Sequence, residues 1–259
     1  MPDSAEALLI IPTYNEAGNI QRLTWEIQEQ QLGLDILVID DHSPDGTGDL
    51  AEQLAREMPL RVIHRNGKYG IGSAHKLGLR YATEHGYRTA ITMDADLAHS
   101  PRYLRHMMEK ASHADVVIGS RYIEGGDSFR RGWLRPFISW AAHGLTTCVL
   151  KLPYDCTGGL RLYRVSSLKR IEWDQILSDG HAFLMESLYA IQGKGLTILE
   201  VPIVVQPRLT GESKVSLTEV LVTGKVFLRL LLQSRRQRRG GRVTMVGNPR
   251  ETQMKGNSL

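Results

Sequence analysis

The feature that most restricts how this chain folds is an alternation in its first half, where short apolar runs take turns with segments of helical spacing. Residues 7–11, 36–39, 60–64, 90–96 and 115–119 read as strands. Residues 19–30, a segment from about Gly48, the stretch through Leu77 and Leu79 to His85, and a segment opening at Pro101 read as helices. Each connection is long enough for a crossover helix, so the expected class is α/β with a parallel sheet. Ligands of such sheets gather outside the carboxyl ends of the strands. Three of those ends carry acids: Glu16, Asp40 with Asp41, and Asp94 with Asp96.

Asp94 and Asp96 close the apolar run Ala-Ile-Thr-Met. Residues two apart on a strand share a face, so a strand over 90–96 would present both carboxylates together. Two such oxygen donors suit a hard divalent cation shared with a substrate diphosphate. Taken alone, an Asp-x-Asp serves equally to end a strand and begin a turn. The glycines at 67, 70 and 72 follow a later strand rather than the first, so a dinucleotide-binding fingerprint is not indicated and a flexible turn is expected there. Asp45 or Thr47 is expected to cap the helix near Gly48.

Beyond Gly119 the pattern changes. An apolar segment over 134–152 is broken by Arg135, His143 and Gly144, and residues 155–163 read as a turn feeding another strand. Residues 196–205 read as a strand and 207–214 as a polar loop. Over 217–233 a helical wheel places Leu217, Val220, Leu221, Phe227, Leu228 and Leu231 on one side, with Thr218, Lys225, Arg229 and Arg236 opposite. The polar, glycine-containing residues 240–259 read as a disordered tail. Glu186 reads as a general base or, more in keeping with its setting, as a structural acid.

The formal charge of +4 is unevenly spread, with four arginines in 234–239, and points to an anionic partner for the C-terminal end. The arginine run lacks interleaved aromatics, which argues against nucleic acid. Two cysteines, Cys148 and Cys156, are too few for a disulfide framework and read as reduced, in a cytosolic setting. The sequence shows no secretory signal and no uninterrupted apolar span of about 18 residues, so the expectation is a chain that does not itself cross a membrane.

Five motifs taken together resemble a known family: Pro12-Thr13-Tyr14-Asn15-Glu16, the run from Val38 to Thr47, the run from Met93 to His99, Gly119-Ser120-Arg121-Tyr122, and Thr157-Gly158-Gly159-Leu160-Arg161. The resemblance is to the inverting family-two glycosyltransferases, and among them to the dolichyl-phosphate (polyprenyl-phosphate) mannose synthases. It implies a GT-A fold over 1–216, a mixed, mainly parallel sheet flanked by helices; the amphipathic basic helix over 217–239, read from its own apolar and basic faces, is expected either to anchor at a membrane interface or to pack on the domain. It implies a nucleotide-sugar pocket at Pro12, Tyr14, Glu16, Asp41 and Asp94, closed by Arg208 and Lys214. Asp94 and Asp96 match the metal pair, for Mg²⁺ or Mn²⁺. Arg121, with Arg135 and Ser139, matches an acceptor-phosphate site, and Asp96 and Arg121 are the residues expected to carry catalysis.

The implied reaction moves a sugar, mannose from GDP-mannose, to a polyprenyl phosphate with inversion. It would take place on the cytoplasmic face of a membrane, with room for a membrane partner subunit. The alternatives are transfer to a polysaccharide or protein hydroxyl, or a non-catalytic nucleotide-sugar-binding subunit. The chain departs from the family pattern at Ala98, where some relatives carry a metal-ligating glutamine, at Pro207, and at His42.

Overall fold

The computed structural model describes residues 6–128, 143–206 and 217–239. Arg135, Ser139, Arg208 and Lys214 lie outside the described residues, as does the 240–259 tail.

The strands in chain order are β1 (Ala7–Thr13), β2 (Leu34–Asp40), β3 (Leu60–His64), β4 (Thr89–Thr92), β5 (Val116–Ser120), β6 (Asp127–Ser128), β7 (Arg161–Arg164), β8 (Ile198–Pro202) and β9 (Val204–Val205). The helices are α1 (Ala17–Glu29), α2 (Thr47–Leu54), α3 (Ile71–Glu84), α4 (Tyr103–Lys110), α5 (Val165–Leu168), α6 (Ala182–Gly193) and α7 (Leu217–Arg239). A π-helical turn occupies Thr146–Leu150. Seven strands form one sheet in the order β3-β2-β1-β4-β7-β5-β8, while β6 and β9 make a small second sheet. Every pairing in the large sheet is parallel except those of β7, which runs antiparallel between β4 and β5. The sheet is therefore mixed and mainly parallel, as the family resemblance implies, where the strand–helix alternation alone suggests a parallel one.

Strands β1 and β2 are apolar through their middles, over Leu8–Ile11 and Ile36–Ile39, because helices cover both faces of the sheet. Leu8, Ile10, Leu37 and Ile39 point into a core shared with α3, α6 and α7. Leu9, Ile11, Ile36 and Val38 point into the opposite core, shared with α1, α2 and α4. Pro12 sits in β1 without harm to the ladder. Met93 N–H donates to the Ile10 carbonyl, so Pro12, two residues on, faces the same side, where β4 has already ended.

Three expectations change at this level. The strand carrying the aspartates stops at Thr92, so Asp94 and Asp96 lie in a loop instead of alternating along a strand. Helix α2 begins at Thr47 behind a left-handed Gly46, with no side-chain cap; Asp45 instead accepts from the Thr47 N–H and hydroxyl. On α7 the expected apolar stripe divides: Phe227 and Leu231 pack against the core beside buried Val226 and Leu230, whereas Val220, Leu221 and Leu228 are exposed with Leu232.

Candidate active site

The carboxyl ends of β1, β2, β4 and β5 meet the amino end of β7 at one edge of the sheet, because β7 runs the other way. That reversal is what delivers the turn over 155–160 to the same place as the Asp94 and Arg121 loops. Here the five motifs read from the sequence converge.

The first two motifs are stitched together. Thr13 Oγ1 donates to Asp40 Oδ1 at 2.9 Å, Asn15 N–H to Ser43 Oγ at 3.0 Å, Glu16 N–H to Thr47 Oγ1 at 2.8 Å, and Ala17 N–H to Asp45 Oδ2 at 3.0 Å. Asn15 and His42 take left-handed backbone conformations, at φ 56° and 57°, to make these tight turns. Glu16 accepts from Asn19 Nδ2 at 2.8 Å, and the Lys68 ammonium lies 4.0 Å from the centre of the Tyr14 ring. Sequence reasoning did not single out Lys68.

Asp41 is buried and organises the glycine loop. Its Oδ2 accepts from the Tyr69 and Gly70 N–H groups at 3.0 and 2.8 Å, and Oδ1 is paired with the Arg65 guanidinium. The loop is no loose turn. A Cβ on Gly70 would stand 2.6 Å from the Asp179 carbonyl oxygen, and one on Gly72 2.5 Å from Phe183 Cβ, so the glycines permit close packing onto the 176–181 loop. Lys76 ties that loop down through Asp179 at 2.8 Å.

Asp94 and Asp96 occupy the loop after β4, which turns through a left-handed Leu97 at φ 59°. Asp96 is buried and its Oδ1 accepts from the Ala98 N–H at 3.1 Å; the Ala98 carbonyl accepts from Gln206 N–H at 2.9 Å. Gly159 lies against Asp94 so closely that a Cβ would stand 2.5 and 2.7 Å from its two carboxylate oxygens. Thr92 Oγ1 fixes that glycine through its carbonyl at 2.8 Å. The Asp94 carboxylate, seated where only glycine leaves it room, offers oxygen donors of the kind a small hard cation takes, and Asp96 in the same loop offers a second carboxylate. Among the described residues no group of three His, Cys, Asp or Glu side chains is gathered into a metal cage.

Arg121, at the end of β5, forms a two-pronged ion pair with Asp155: Nε to Oδ2 at 2.8 Å and Nη2 to Oδ1 at 2.9 Å. Both side chains are nearly excluded from solvent. Burial pushes the Asp155 carboxyl up, but Arg121 and the Thr157 donors outweigh it and hold the pKa down to about 2. The 155–159 turn therefore touches both loops, Asp94 through Gly159 and Arg121 through Asp155. Asp155 and Gly159 were legible only as parts of a turn. Arg161 is fully buried and among the described residues pairs with no carboxylate; its guanidinium donates to the carbonyls of Cys156, Gly158 and Leu184 and to the Ser187 hydroxyl.

Glu186 has a structural setting. Its carboxylate accepts from the Leu177 and Ser178 N–H groups, each at 3.0 Å, from the Ser178 hydroxyl, and from Arg229 of α7. Cys156 is buried, which pushes its thiol up to about 11; Cys148 is exposed.

Acids from three loops and a buried arginine–aspartate pair at the carboxyl edge of a mixed sheet are the type of site that a nucleotide-sugar transferase uses. The family described as "Glycosyl transferase family 2" matches residues 8–172, and the chain belongs to that family and is a glycosyltransferase. The undecaprenyl-phosphate mannosyltransferase of Micrococcus luteus is 40% identical over 211 residues, spanning 81% of this chain and 87% of that protein. The polyprenol monophosphomannose synthase of Mycolicibacterium smegmatis is 37% identical over 213 residues, 81% of this chain and 80% of its own. In structure the chain is similar to mannosyl-3-phosphoglycerate synthase from Rubrobacter xylanophilus, with TM-score 0.64 and 18% identity over 94% of this chain and 77% of that one. It is also similar to a mannosyltransferase from Pyrobaculum calidifontis in complex with GDP-Man and Mn²⁺, at TM-score 0.57 and 18% identity over 91% and 65% of the two chains. The fold is GT-A.

Proposed function

We propose that this glycosyltransferase moves mannose from GDP-mannose to a polyprenyl phosphate with inversion, using Mg²⁺ or Mn²⁺ held by Asp94 and Asp96. The observation that carries the reading is the juxtaposition of the Asp94 cradle with the Arg121–Asp155 pair, an anion-binding edge beside a cation-binding one. The names of the two curated relatives supply the acceptor class and the sugar. The Pyrobaculum structure, with its GDP-Man and Mn²⁺, supplies the donor and metal class.

In this reading Pro12, Tyr14, Glu16 and Asp41 frame the nucleotide, with Arg208 and Lys214 for its phosphates. A bound divalent ion supplies Lewis-acid stabilisation of the departing diphosphate. Arg121, joined by Arg135 and Ser139, holds the acceptor phosphate. A phosphate monoester has its second pKa near 6, so at neutral pH it is already a nucleophile and needs no base. Its oxygen attacks the anomeric carbon from the face opposite the diphosphate; the new C–O bond forms as the old one breaks, and GDP departs with that electron pair. Asp155 takes the Nε and Nη2 edge of Arg121 and so fixes the guanidinium, whose Nη1 is what it offers the acceptor phosphate. Transfer to a hydroxyl would need a base, and Glu186, committed to two backbone N–H groups, a hydroxyl and Arg229, is poorly placed to serve.

Among the described residues no helix is long and apolar enough to cross a membrane. The exposed stripe Leu221, Leu228 and Leu232, with Lys225 between, supports attachment of α7 to the cytoplasmic membrane surface, beside a membrane partner subunit if one takes part. The deciding experiment incubates full-length protein, GDP-mannose and a short-chain polyprenyl phosphate with Mg²⁺ or Mn²⁺. The expected product is mannosyl phospholipid, lost in EDTA and in a folded Asp96→Ala variant. Undiminished turnover in EDTA refutes the metal role, and transfer to a hydroxyl acceptor instead refutes the acceptor.

A further inference from the structure

We propose that Arg161 is a positioning residue for sugar transfer, a buried pin that sets the 155–159 turn between the Asp94 loop and Arg121. The proposal rests on the polyprenyl-phosphate transferase reading and deepens it. Arg161 is fully buried, and among the described residues it pairs with no carboxylate. A cation out of water and without a counter-charge is costly, and an apolar side chain of similar volume would suit a core better. What the guanidinium gains instead is a set of hydrogen bonds, most of them to main-chain oxygens.

Those bonds reach two different elements. Nε donates to the Gly158 carbonyl at 3.0 Å and Nη2 to the Cys156 carbonyl at 3.3 Å, both in the turn. Nη1 donates to the Leu184 carbonyl at 2.8 Å and to the Ser187 hydroxyl at 3.3 Å, both in α6. Arg161 so ties the turn to a helix whose Phe183, Leu184 and Leu188 are fixed in the core. A planar guanidinium with five donors can serve both elements at once, whereas a single ammonium cannot keep the same directions.

The turn is where the two halves of the site meet. Asp155 at its start holds Arg121 by two hydrogen bonds, and Gly159 at its end lies against the Asp94 carboxylate. Strand register puts Arg161 at the same junction: it pairs with Thr92, the last residue of β4, and with Ile118 near the end of β5. The Asp94 loop and the Arg121 loop both leave the sheet just beyond this row. A shift of the turn therefore moves Asp155 and Gly159 together, and a misplacement of about 1 Å costs about a hundredfold in rate.

The test uses full-length Arg161→Met, which keeps the apolar stem and loses the donors, and Arg161→Lys, which keeps the charge but not the fork. Amide hydrogen exchange followed by NMR needs neither substrate nor metal. In the folded variants the Thr157 and Gly158 amides, which donate to Asp155, should exchange about tenfold faster or more, while those of Leu9 and Leu37 in the central strands keep their protection. Transfer from GDP-mannose to a short-chain polyprenyl phosphate should fall about a hundredfold in kcat/KM, with a raised KM for the acceptor. A residue that merely props up the core would lower the melting temperature and the active fraction and leave that KM where it was. Unchanged exchange at Thr157 and Gly158, an unchanged acceptor KM, or failure of both variants to fold overturns the pin. Absence of transfer by wild type overturns the acceptor reading alone, and the exchange result then decides on Arg161.

Discussion

Mild acid should weaken this fold through one residue, His75. The side chain projects from α3 into the core, fully buried, edge-on to Phe183 with ring centroids 5.6 Å apart. Neither ring nitrogen has a hydrogen-bond partner among the described residues. Burial, with smaller contributions from the charges of Arg161 and His181, pushes its pKa from 6.5 down to about 3. The folded state therefore keeps a neutral ring where the unfolded chain takes up a proton. Stability is fully present above pH 6.5 and is lost as pH falls towards 3. Moving from pH 7.5 to 5.0 protonates the unfolded histidine almost completely and the folded one hardly at all, which costs about 2 kcal/mol. Carboxylates titrate mainly below this window, and the comparison with His75→Leu cancels what they contribute. Urea unfolding at both pH values should show wild type losing about 2 kcal/mol more than the variant, with unchanged m-values. Parallel losses, within about 0.5 kcal/mol, would mean that the folded protein protonates His75 as readily as the unfolded chain does, and the reasoning would fail.

Gly159→Ala should fold yet lose metal-dependent transfer by about a hundredfold, because its methyl would occupy the space of the Asp94 carboxylate at 2.5 Å; full activity would show that Asp94 need not sit where it does. Arg121→Lys keeps the charge but loses the fork, and should lower transfer to a polyprenyl phosphate about ten- to a hundredfold with donor affinity by calorimetry unchanged. Arg135→Ala should behave alike, and a loss of donor affinity instead would assign these arginines to the diphosphate. Arg121→Ala is the poorer probe, since it strands buried Asp155 at a cost of about 3–5 kcal/mol. Leu228→Glu with Leu232→Glu, both on the exposed side of α7, should abolish co-flotation with anionic vesicles while leaving the melting temperature intact; equal recovery would remove the membrane from the account.

The parts of the molecule that were readable from the sequence are those where one element decides its own burial. Strands β1 and β2 are covered on both faces, so every residue from Leu8 to Ile11 and from Ile36 to Ile39 is apolar and the strands announce themselves. The antiparallel direction of β7 leaves no such mark, since a buried four-residue strand has the same composition in either orientation. Asp94 and Asp96 were found by a pattern that does not hold: they follow the strand in a loop with a left-handed Leu97, and not by alternation along a strand. Asp155 was invisible as a site residue for a related reason. An aspartate ahead of Thr-Gly-Gly satisfies the local turn by accepting from the Thr157 and Gly158 N–H groups, each at 3.1 Å. Nothing local discloses that the same carboxylate also fixes Arg121, which reaches it only once β7 has been inserted between β4 and β5. Periodicity reports which way a side chain faces from its own element; which loop it then meets depends on strand order, and in this sheet one reversed strand sets that order around the whole site.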